Sequence, residues 1–478
     1  MKNYDYDIVI IGVGSGGVSA AFLAANLGKK VAIIEKHKIG GDCTWYGCVP
    51  SKALIKAGEV HKTVKHADKF GIKSANGIDL NTDGVMDHVR SIREKIYAEE
   101  TPEVFEARGI KVFIGEARFK DNHHIEIGGQ VVSSKSFIIS TGASPFVPPV
   151  EGLESVPYLT NETIFELELL PKSIVVLGGG PIGSEMASAM NNLGVKVTLV
   201  EAGESILARE DKELANILME KMRNDGVEIL TNSRAVKAAK KDSRIIITIN
   251  NSNGRNTEIE AEDILIAVGR RPNVNGLNLE MAGIEYSAKG IKANEKLQTT
   301  ASNIYAIGDV AGSYQFSHIA EYHAEIAVPN AVLPLPIKRK VNYENIVWTT
   351  FTDPEFAHAG LTENEARERY GNSIRIYRFN YSSIERAKTE LTEFGLSKFI
   401  CDKKGRLIGI HILGERAGDL LHEAQLAKSL GVPFHKIRGM VHVYPTYGDV
   451  TKRPAVAAYV DKLQNNPLIK ILKKVTKR

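Results

Sequence analysis

Short apolar runs and small-residue stretches alternate near the start of the chain, and the same order returns later. Residues 7–35 begin with the apolar run DIVIIG, pass through the turn GVGSGG and the Ala-rich stretch VSAAFLAANLG, and end with KVAIIE. Short apolar runs bounded by turns predict buried strands, and the Ala-rich stretch predicts a helix. Residues 173–201 repeat this pattern. The chain is therefore predicted to contain two βαβ units, each typical of a doubly wound nucleotide-binding domain.

The pattern outside these units predicts further elements and the domain boundaries. Residues 79–110 look helical and charged, and residues 111–150 look rich in strands and end in a cluster of prolines. The stretch AEDILIAVGRRPN, at 261–273, mirrors that ending in the second unit. From about residue 345 the pattern favours antiparallel strands with one helix, which is typical of an α+β domain. The predicted segments are 1–150, 151–272, 273–344 and 345–478.

Composition and charge exclude several classes of protein. The 478 residues are 43% hydrophobic and 25% charged, as in ordinary globular proteins, and the net charge of +4 is too small to indicate nucleic acid binding. Three cysteines cannot form a disulfide framework. The apolar run near the N-terminus is too short for a signal peptide or a membrane span. We therefore expect a cytoplasmic protein, in which a close cysteine pair is more often redox-active or metal-binding than structural.

Each βαβ unit carries a glycine motif that is followed by an acidic residue at the end of the next strand. The first glycine permits a tight turn, the second permits close approach of a pyrophosphate, and the third permits helix–strand packing. The helix N-terminus then offers N–H groups to the phosphates, and the acid accepts hydrogen bonds from ribose. The motifs are Gly12, Gly14, Gly17 and Glu35, and Gly178, Gly180, Gly183 and Glu201. We expect two dinucleotides.

The second acidic residue bears on the choice of nicotinamide cofactor. A carboxylate at Glu201 would repel a 2′-phosphate, and no Arg follows it immediately. This arrangement favours NAD over NADP. Arg209, eight residues further on, is a weak counter-argument.

Two of the three cysteines, Cys43 and Cys48, are five positions apart. Such residues lie roughly 8.6 Å apart on an ideal helix, whereas a disulfide needs Cα atoms within about 7 Å. A bridge would therefore require irregular backbone, for which Gly47 and Pro50 give a reason. Metal binding is the main alternative, although no His or Cys follows at finger-like spacing. A pair of inert, buried thiols is the other alternative. If the thiols are reactive, the positive charge of Lys52, one turn past Cys48, would lower the pKa of a nearby thiol.

These motifs together resemble one family, the FAD-dependent pyridine nucleotide–disulfide oxidoreductases, which includes dihydrolipoamide dehydrogenase and mercuric ion reductase. The family's cysteine motif is similar to Cys43 and Cys48 followed by Val-Pro-Ser-Lys. STGASP at 140–145, IYAIGDVAG at 304–312 and FTDPEFAHAGLTENEA at 351–366 resemble three further family motifs. The resemblance implies an α/β fold class: two Rossmann-like dinucleotide-binding domains and a C-terminal α+β dimerisation domain. Residues 1–150 and 273–344 would bind FAD, 151–272 would bind NAD(P), and 345–478 would form the interface.

The resemblance also implies roles for individual residues in a homodimer that binds FAD and NAD, with NADP less favoured. Cys48 would lie next to the flavin, Cys43 would meet the substrate, and Lys52 and Glu185 would form an ion pair near flavin N5. Asp309 would bind the ribityl or pyrophosphate part of FAD. The remaining cofactor contacts that it implies are Ser15, Gly16, Lys36, Gly41, Asp42, Lys52, Ala117, Thr141, Gly142, Ile182, Gly269 and His318. No metal site is predicted.

The sequence departs from the family near its C-terminus. The family places a catalytic His, contributed by the partner subunit, where this chain has Tyr444, and a Glu where it has Asp449. A phenol titrates near 10, so Tyr444 is a poor proton shuttle at neutral pH. His442 matches the first family His, two positions before Tyr444 on a stretch that we expect to be a strand. A second departure is Asp42, often Thr in the family, whose charge should oppose thiolate formation at the cysteine loop.

We therefore predict an enzyme that passes electrons between NADH and a disulfide, a dithiol or another soft, thiol-reactive acceptor through Cys43 and Cys48. The alternatives are a diaphorase or transhydrogenase in which the cysteines take no part, and a non-catalytic flavin redox sensor. The C-terminal stretch PLIKILKKVTKR has the pattern of a basic amphipathic helix. A surface helix on its own domain is favoured there over contact with a membrane.

Overall fold

The structure is a computed structural model, and it describes residues 3–73, 80–312 and 314–469. Its strands are β1 Tyr6–Ile11, β2 Val31–Glu35, β3 Lys111–Ile114, β4 Ala117–Phe119, β5 His124–Ile127, β6 Gln130–Ile139, β7 Ala143–Pro145, β8 Ser173–Leu177, β9 Lys196–Val200, β10 Glu228–Leu230, β11 Ser233–Lys241, β12 Arg244–Asn251, β13 Asn256–Ala261, β14 Asp263–Ile266, β15 Arg270–Pro272, β16 Tyr286–Ser287, β17 Gly290–Ile291, β18 Ile304–Ala306, β19 Val347–Thr350, β20 Phe356–Gly360, β21 Arg375–Asn380, β22 Leu396–Cys401 and β23 Leu407–Leu413.

The helices follow the same chain order and include a short one, α2, and a long one, α3, around the cysteines. They are α1 Ser15–Asn26, α2 Gly41–Trp45, α3 Cys48–Lys65, α4 Thr82–Tyr97, α5 Pro102–Glu106, α6 Pro181–Asn192, α7 Lys212–Asn224, α8 Ser317–Val332, α9 Glu363–Tyr370, α10 Glu385–Glu390, α11 Ala417–Ser429 and α12 Asp449–Gln464. Within the described ranges, no helix has the length and apolar character needed to cross a lipid bilayer. The predicted amphipathic helix at the C-terminus lies mostly in residues 470–478, outside the described residues.

The fold divides into two compact units, of which the first comprises residues 1–178, 192–196 and 235–341. Its largest sheet has the order β3-β2-β1-β6-β5-β4, and β18 also pairs with β6. Strands β3, β2, β1, β6 and β18 are parallel, and the pair β1 and β2 forms the βαβ unit predicted over residues 7–35. Val9 and Ile11 join one buried cluster and Ile8 and Ile10 another, so β1 is buried on both faces. This is the usual position of a central parallel strand.

The second unit comprises residues 179–191, 197–234 and 342–478. It contains the parallel pair β9–β10 and an antiparallel sheet of order β19-β20-β23-β22-β21. Antiparallel pairing over residues 347–413 agrees with the α+β pattern predicted from the sequence. Helices α11 and α12 contribute Ala424, Leu421 and Ala455 to the buried cluster that covers the sheet.

One row of polar side chains crosses all five strands of this antiparallel sheet. Paired positions place Trp348, His358, His411, Lys398 and Arg378 side by side across the sheet. Trp348 and His358 both hydrogen-bond to the Glu210 carboxylate, His358 at 2.8 Å, and the two rings stack 3.8 Å apart. Lys398, with 2% of its side chain exposed, contacts three carboxylates at 2.7 Å each, those of Asp211, Glu213 and Glu363. The row therefore fixes the segment that leads into α7.

Candidate active site

The cysteine loop consists of one short helix and the first turn of a long one, joined by a break. Helix α2 ends at Trp45, Gly47 has φ −129° and ψ −112°, and Cys48 begins α3. Gly47 also makes the break compact, because a Cβ there would lie 2.9 Å from the Asp42 carbonyl oxygen. The irregular backbone that the five-residue spacing required is thus present, and it brings both sulfur atoms within hydrogen-bonding reach of each other.

Both thiols are free and partly buried, and they share their environment with two hydroxyl groups. A hydrogen bond from the Cys48 thiol lowers the pKa of Cys43, and the hydroxyls of Ser317 and Ser15 act in the same direction. The hydrogen bond to Cys43, together with burial and the charge of Cys43, raises the pKa of Cys48, which the charge of Lys52 opposes. The two sulfurs therefore favour a state with one thiolate and one thiol, held by a shared proton.

Asp42 stands beside this pair in a polar cluster. Asn161 donates a hydrogen bond from Nδ2 to Asp42 Oδ1 at 2.8 Å, and Arg270 Nη2 lies 3.2 Å from the same oxygen. Arg270 Nε lies 3.6 Å from Asp309 Oδ2, so one buried guanidinium faces two carboxylates. The negative charge of Asp42 raises the pKa of Cys43, the direction expected from the sequence.

Asp309 is the carboxyl group of this cluster whose pKa is raised. Burial raises the pKa of Asp309 to about 6, Arg270 opposes the rise, and Asp42 adds to it. The Nε atom of Arg270 is buried and has no hydrogen-bond partner among the residues that the structure describes. A buried donor without such a partner next to a largely buried carboxyl group suits a polar ligand.

The first glycine motif forms a phosphate-binding turn with space above it. Gly12 has φ +88°, and a Cβ there would meet the Ser140 carbonyl oxygen at 2.5 Å. Among the described residues, a Cβ at Gly14 would meet nothing closer than 3.8 Å, and no side chain caps the start of α1. Glu35 accepts hydrogen bonds from the backbone N–H groups of Val13 and His37 at 2.8 and 2.9 Å. These features fit a dinucleotide such as FAD, with free N–H groups for its pyrophosphate.

The second glycine motif repeats this local geometry. Gly178 has φ +103°, and a Cβ there would meet the Ala267 carbonyl oxygen at 2.5 Å. A Cβ at Gly180 would meet nothing within 4 Å. Glu201 accepts hydrogen bonds from Gly179 and Gly203, both at 2.6 Å. The geometry fits a second dinucleotide.

Strands β7 and β15 pair the end of STGASP, at 140–145, with the end of AEDILIAVGRRPN, at 261–273. The pair aligns Arg270 with Pro145. Thr141 donates a hydrogen bond from Oγ1 to the Asn273 carbonyl oxygen at 2.8 Å, and the Gly269 carbonyl accepts one from Phe146 at 2.9 Å. Thr141, Gly142 and Gly269 therefore lie in one small antiparallel ribbon, next to Arg270.

The C-terminal segment that departs from the family lies in the second unit. Tyr444 is 67% exposed. His442 Nε2 pairs with Glu423 at 3.0 Å, and Asp449 begins α12 and pairs with Arg453 at 3.3 Å. Residues 441–448 form no strand, so the expectation of a strand through His442 and Tyr444 is wrong. Turn-forming Pro445 and Gly448 explain the irregular backbone.

The remaining predicted site residues lie in helices α1, α2, α3, α6 and α8, in strand β4 and just after β2. Lys52 lies in α3 and donates to Ser51 Oγ at 3.3 Å, and Glu185 is buried in α6 and accepts from the Phe351 N–H at 2.9 Å. The ion pair predicted between Lys52 and Glu185 stays a prediction. Ser15, Gly16 and Gly17 begin α1, Gly41 begins α2, Ile182 and Gly183 begin α6, His318 lies in the first turn of α8, Ala117 is buried in β4, and Lys36 is exposed after β2.

Three residues of the polar cluster at the cysteine loop were not predicted from the sequence: Ser317, Asn161 and Arg270. Arg270 falls in the quoted stretch AEDILIAVGRRPN, so the turn after β14 was the signal for it. Ser317 begins a helix shortly after the IYAIGDVAG motif. Asn161 carries no local signal that we can identify.

Comparisons with known proteins agree over most of the chain. Residues 6–324 match the family described as pyridine nucleotide-disulphide oxidoreductase, and residues 346–455 match the dimerisation domain of that family. A mercuric reductase from Staphylococcus aureus is 35% identical over 465 residues, which cover 95% of this chain and 83% of the relative. A dihydrolipoyl dehydrogenase from Bacillus subtilis (strain 168) is 32% identical over 471 residues, with 95% and 98% covered.

Solved structures show the same likeness. The HOCl-induced flavoprotein disulfide reductase RclA from Escherichia coli has a TM-score of 0.84 at 27% identity, covering 94% of this chain and 99% of its own. A Cu(II) complex of RclA has a TM-score of 0.83 at 28% identity, covering 96% and 100%. The dimerisation domain indicates a homodimer. The chain belongs to the pyridine nucleotide-disulphide oxidoreductases, the family of FAD-binding enzymes that transfer electrons between NAD(P)H and sulfur groups.

Proposed function

We propose that the protein oxidises NADH and delivers the electrons through Cys43 and Cys48 to a soft, thiol-reactive acceptor, with a metal cation favoured over a disulfide. The observation that carries this proposal is the pair of free, hydrogen-bonded thiols, one of which favours the thiolate. A thiolate attacks disulfides and binds soft metal cations, whereas a thiol does neither efficiently.

In this proposal residues 1–150 and 273–344 bind FAD, 151–272 bind the nicotinamide cofactor, and 345–478 form the dimer interface. Free N–H groups at the start of α1 hold the pyrophosphate, Glu35 binds the adenosine ribose, and Asp309 with Arg270 binds the polar part of the cofactor between its rings. When bound, FAD supplies the two-electron chemistry that links a nicotinamide to a disulfide. Cys48 is the thiol nearer the ring, and Cys43 is the thiol that meets the acceptor.

Glu201 supports NADH rather than NADPH as the electron donor. Its carboxylate is held by two backbone N–H groups at 2.6 Å, so it is a fixed negative charge at the ribose position of the second motif. A 2′-phosphate at that position would face this charge directly.

Proton balance favours a metal cation over a disulfide. Reduction of a disulfide by NADH consumes a proton: NADH, H⁺ and R–S–S–R yield NAD⁺ and two R–SH. Reduction of a soft divalent cation M²⁺ to M⁰ by NADH releases one instead, so the acceptor needs no acid. Tyr444 occupies the position of the family's proton-shuttling His, and a phenol is a poor shuttle at neutral pH. The relatives named mercuric reductase support a metal acceptor, whereas those named dihydrolipoyl dehydrogenase and the disulfide reductase RclA support a sulfur acceptor, so the preference for a metal rests on Tyr444.

An acceptor screen tests the proposal. We expect the FAD-loaded protein to consume NADH with mercuric or cupric ion faster than with lipoamide or glutathione disulfide, and Cys43→Ser or Cys48→Ser to abolish both activities. Cys401→Ala is the matched control, because Cys401 is fully buried in β22. Undiminished turnover in both serine variants would contradict the proposal and indicate a diaphorase in which the cysteines take no part.

A further inference from the structure

The charge beside Cys43 is fixed in place by its neighbours. Asp42 precedes Cys43 directly, and its Oδ1 atom accepts from Asn161 at 2.8 Å and faces Arg270 at 3.2 Å. Its Oδ2 atom lies 3.0 Å from the position of a Cβ on Gly47, so the carboxylate lies over the break between the two cysteines. The charge of Asp42 therefore acts on Cys43, whose pKa it raises.

The neighbouring cations do not neutralise this carboxylate completely. Arg270 is shared with Asp309, so one positive charge faces two acidic groups. Lys52 acts on Cys48, where its charge lowers the thiol pKa. Tyr46, on the other side of the loop, also lies in a negative environment. Burial and the charges of two glutamates and Asp42 raise the pKa of Tyr46, and the charge of one guanidinium lowers it.

We propose that Asp42 is a specificity-determining residue, whose fixed charge makes Cys43 react preferentially with positively charged acceptors and disfavours negatively charged ones. The inference rests on the proposed function in that Cys43 is the thiol that meets the acceptor. Asp42 acts through its field and not as a metal ligand: among the described residues, the group of three ligating side chains close enough to hold a metal is Glu210, His358 and His411. A fixed charge near a reacting atom raises the encounter rate of an oppositely charged reagent.

Charged thiol reagents test this inference without turnover. In a Cys48→Ser background, the reagents are 2-(trimethylammonio)ethyl methanethiosulfonate, a cation, and 2-sulfonatoethyl methanethiosulfonate, an anion. The Cys43 thiolate attacks the sulfenyl sulfur of either reagent, a mixed disulfide forms and methanesulfinate leaves. The ratio of the two rate constants reports the local charge, because a change in the pKa of Cys43 alters both rates equally and cancels.

We expect Asp42→Asn to lower the cation-to-anion ratio by about three- to tenfold at low ionic strength, with the difference shrinking in 1 M salt. Asp42→Glu should restore most of the ratio, because it keeps the charge. Glu258→Gln, on the exposed strand β13, removes one negative charge elsewhere and should leave the ratio unchanged. An unchanged ratio in Asp42→Asn, or an equal change in Glu258→Gln, would overturn the inference.

A turnover measurement separates this inference from the proposed function. Cystamine is a dicationic disulfide and 5,5′-dithiobis(2-nitrobenzoate) a dianionic one. Their intrinsic reactivities differ, so the quantity compared is the change in the ratio of their rates between wild type and variant. We expect the ratio of their kcat/KM values with NADH to fall in Asp42→Asn. Failure of the FAD-loaded wild type to consume NADH with these disulfides and with soft metal cations would contradict the proposed function, whereas the labelling ratio would still decide the role of Asp42.

Discussion

The sulfur atom of Cys48 lies 3.2 Å from the hydroxyl oxygen of Ser317, 269 positions further along the chain. Ser317 is the first residue of α8, so the sulfur faces the N-terminal end of a helix. Free N–H groups and the helix dipole favour negative charge at such an end. The contact joins the cysteine loop to the segment after the IYAIGDVAG motif and opposes the rise in the pKa of Cys48.

Removal of the Ser317 hydroxyl should make the thiol pair less acidic. The hydroxyl lowers the pKa of both Cys43 and Cys48, so Ser317→Ala should raise the lower thiol pKa by roughly half to one unit, the value of one hydrogen bond. The pH dependence of iodoacetamide alkylation measures this pKa. Ser317→Thr keeps a hydroxyl and is the control; an identical profile in the Ala and Thr variants would show that the contact does not act on the thiols.

Replacement of Tyr444 by His should change which acceptors are used. An imidazole titrates near neutral pH, so Tyr444→His should raise kcat/KM for lipoamide at pH 7 at least several-fold and leave the rate with a metal cation nearly unchanged. Steady-state NADH consumption measures both. Tyr444→Phe removes the hydroxyl without supplying a base and should not gain disulfide activity. If His brings no gain over Phe, proton supply at this position does not limit disulfide reduction.

His323 should make the protein sensitive to acid. The ring is fully buried in α8, its Nδ1 accepts a hydrogen bond from the Gly308 N–H at 3.1 Å, and burial lowers its pKa to about 4. The unfolded chain binds the proton near pH 6.5, so stability is present above that pH and is lost as the pH falls towards 4. The free energy of unfolding should fall by about 2 kcal/mol between pH 7.5 and pH 5 from this group. Urea denaturation of the wild type and His323→Gln at both pH values measures it, and equal pH dependence in the two would contradict this account.

Lys398 should contribute far more to stability than its exposed neighbour Arg378. Lys398→Met leaves the buried carboxylate of Asp211 without its cation and should lower the free energy of unfolding by about 3 kcal/mol. Arg378 contacts Glu213 and Glu363 but is 40% exposed, so Arg378→Met should cost less than about 1 kcal/mol. Urea denaturation of the two variants compares them directly. Similar losses would show that burial does not decide the strength of these ion pairs.

The parts of the site that depend on short stretches of chain were predictable. The two glycine motifs follow local rules, and the structure repeats them closely: Glu35 and Glu201 each accept hydrogen bonds from the N–H after the first glycine and from the residue two positions beyond the acid. The break between Cys43 and Cys48 followed in the same way, from a spacing that a regular helix cannot close.

The parts that depend on distant contacts were not predictable. Arg270 lies between Asp42 and Asp309 because β15 pairs with β7. No pattern in the sequence around Arg270 indicates that its guanidinium faces two carboxylates. The polar row across the antiparallel sheet depends on strand register, which determines that Lys398 meets His411. The segment around Tyr444 was predicted wrongly, because its likeness to the family suggested a strand and residues 441–448 form none.

The most direct test of the central claim, that Cys43 and Cys48 are the redox pair, is the visible spectrum of the FAD-loaded protein after anaerobic addition of one equivalent of NADH. We predict a long-wavelength absorbance band in the wild type and in Cys401→Ala that is absent in Cys48→Ser, because the reduced pair holds one shared thiolate and Cys48 is, in the proposed arrangement, the sulfur nearer the flavin. A wild-type spectrum without that band, or the same band in Cys48→Ser, would contradict the account.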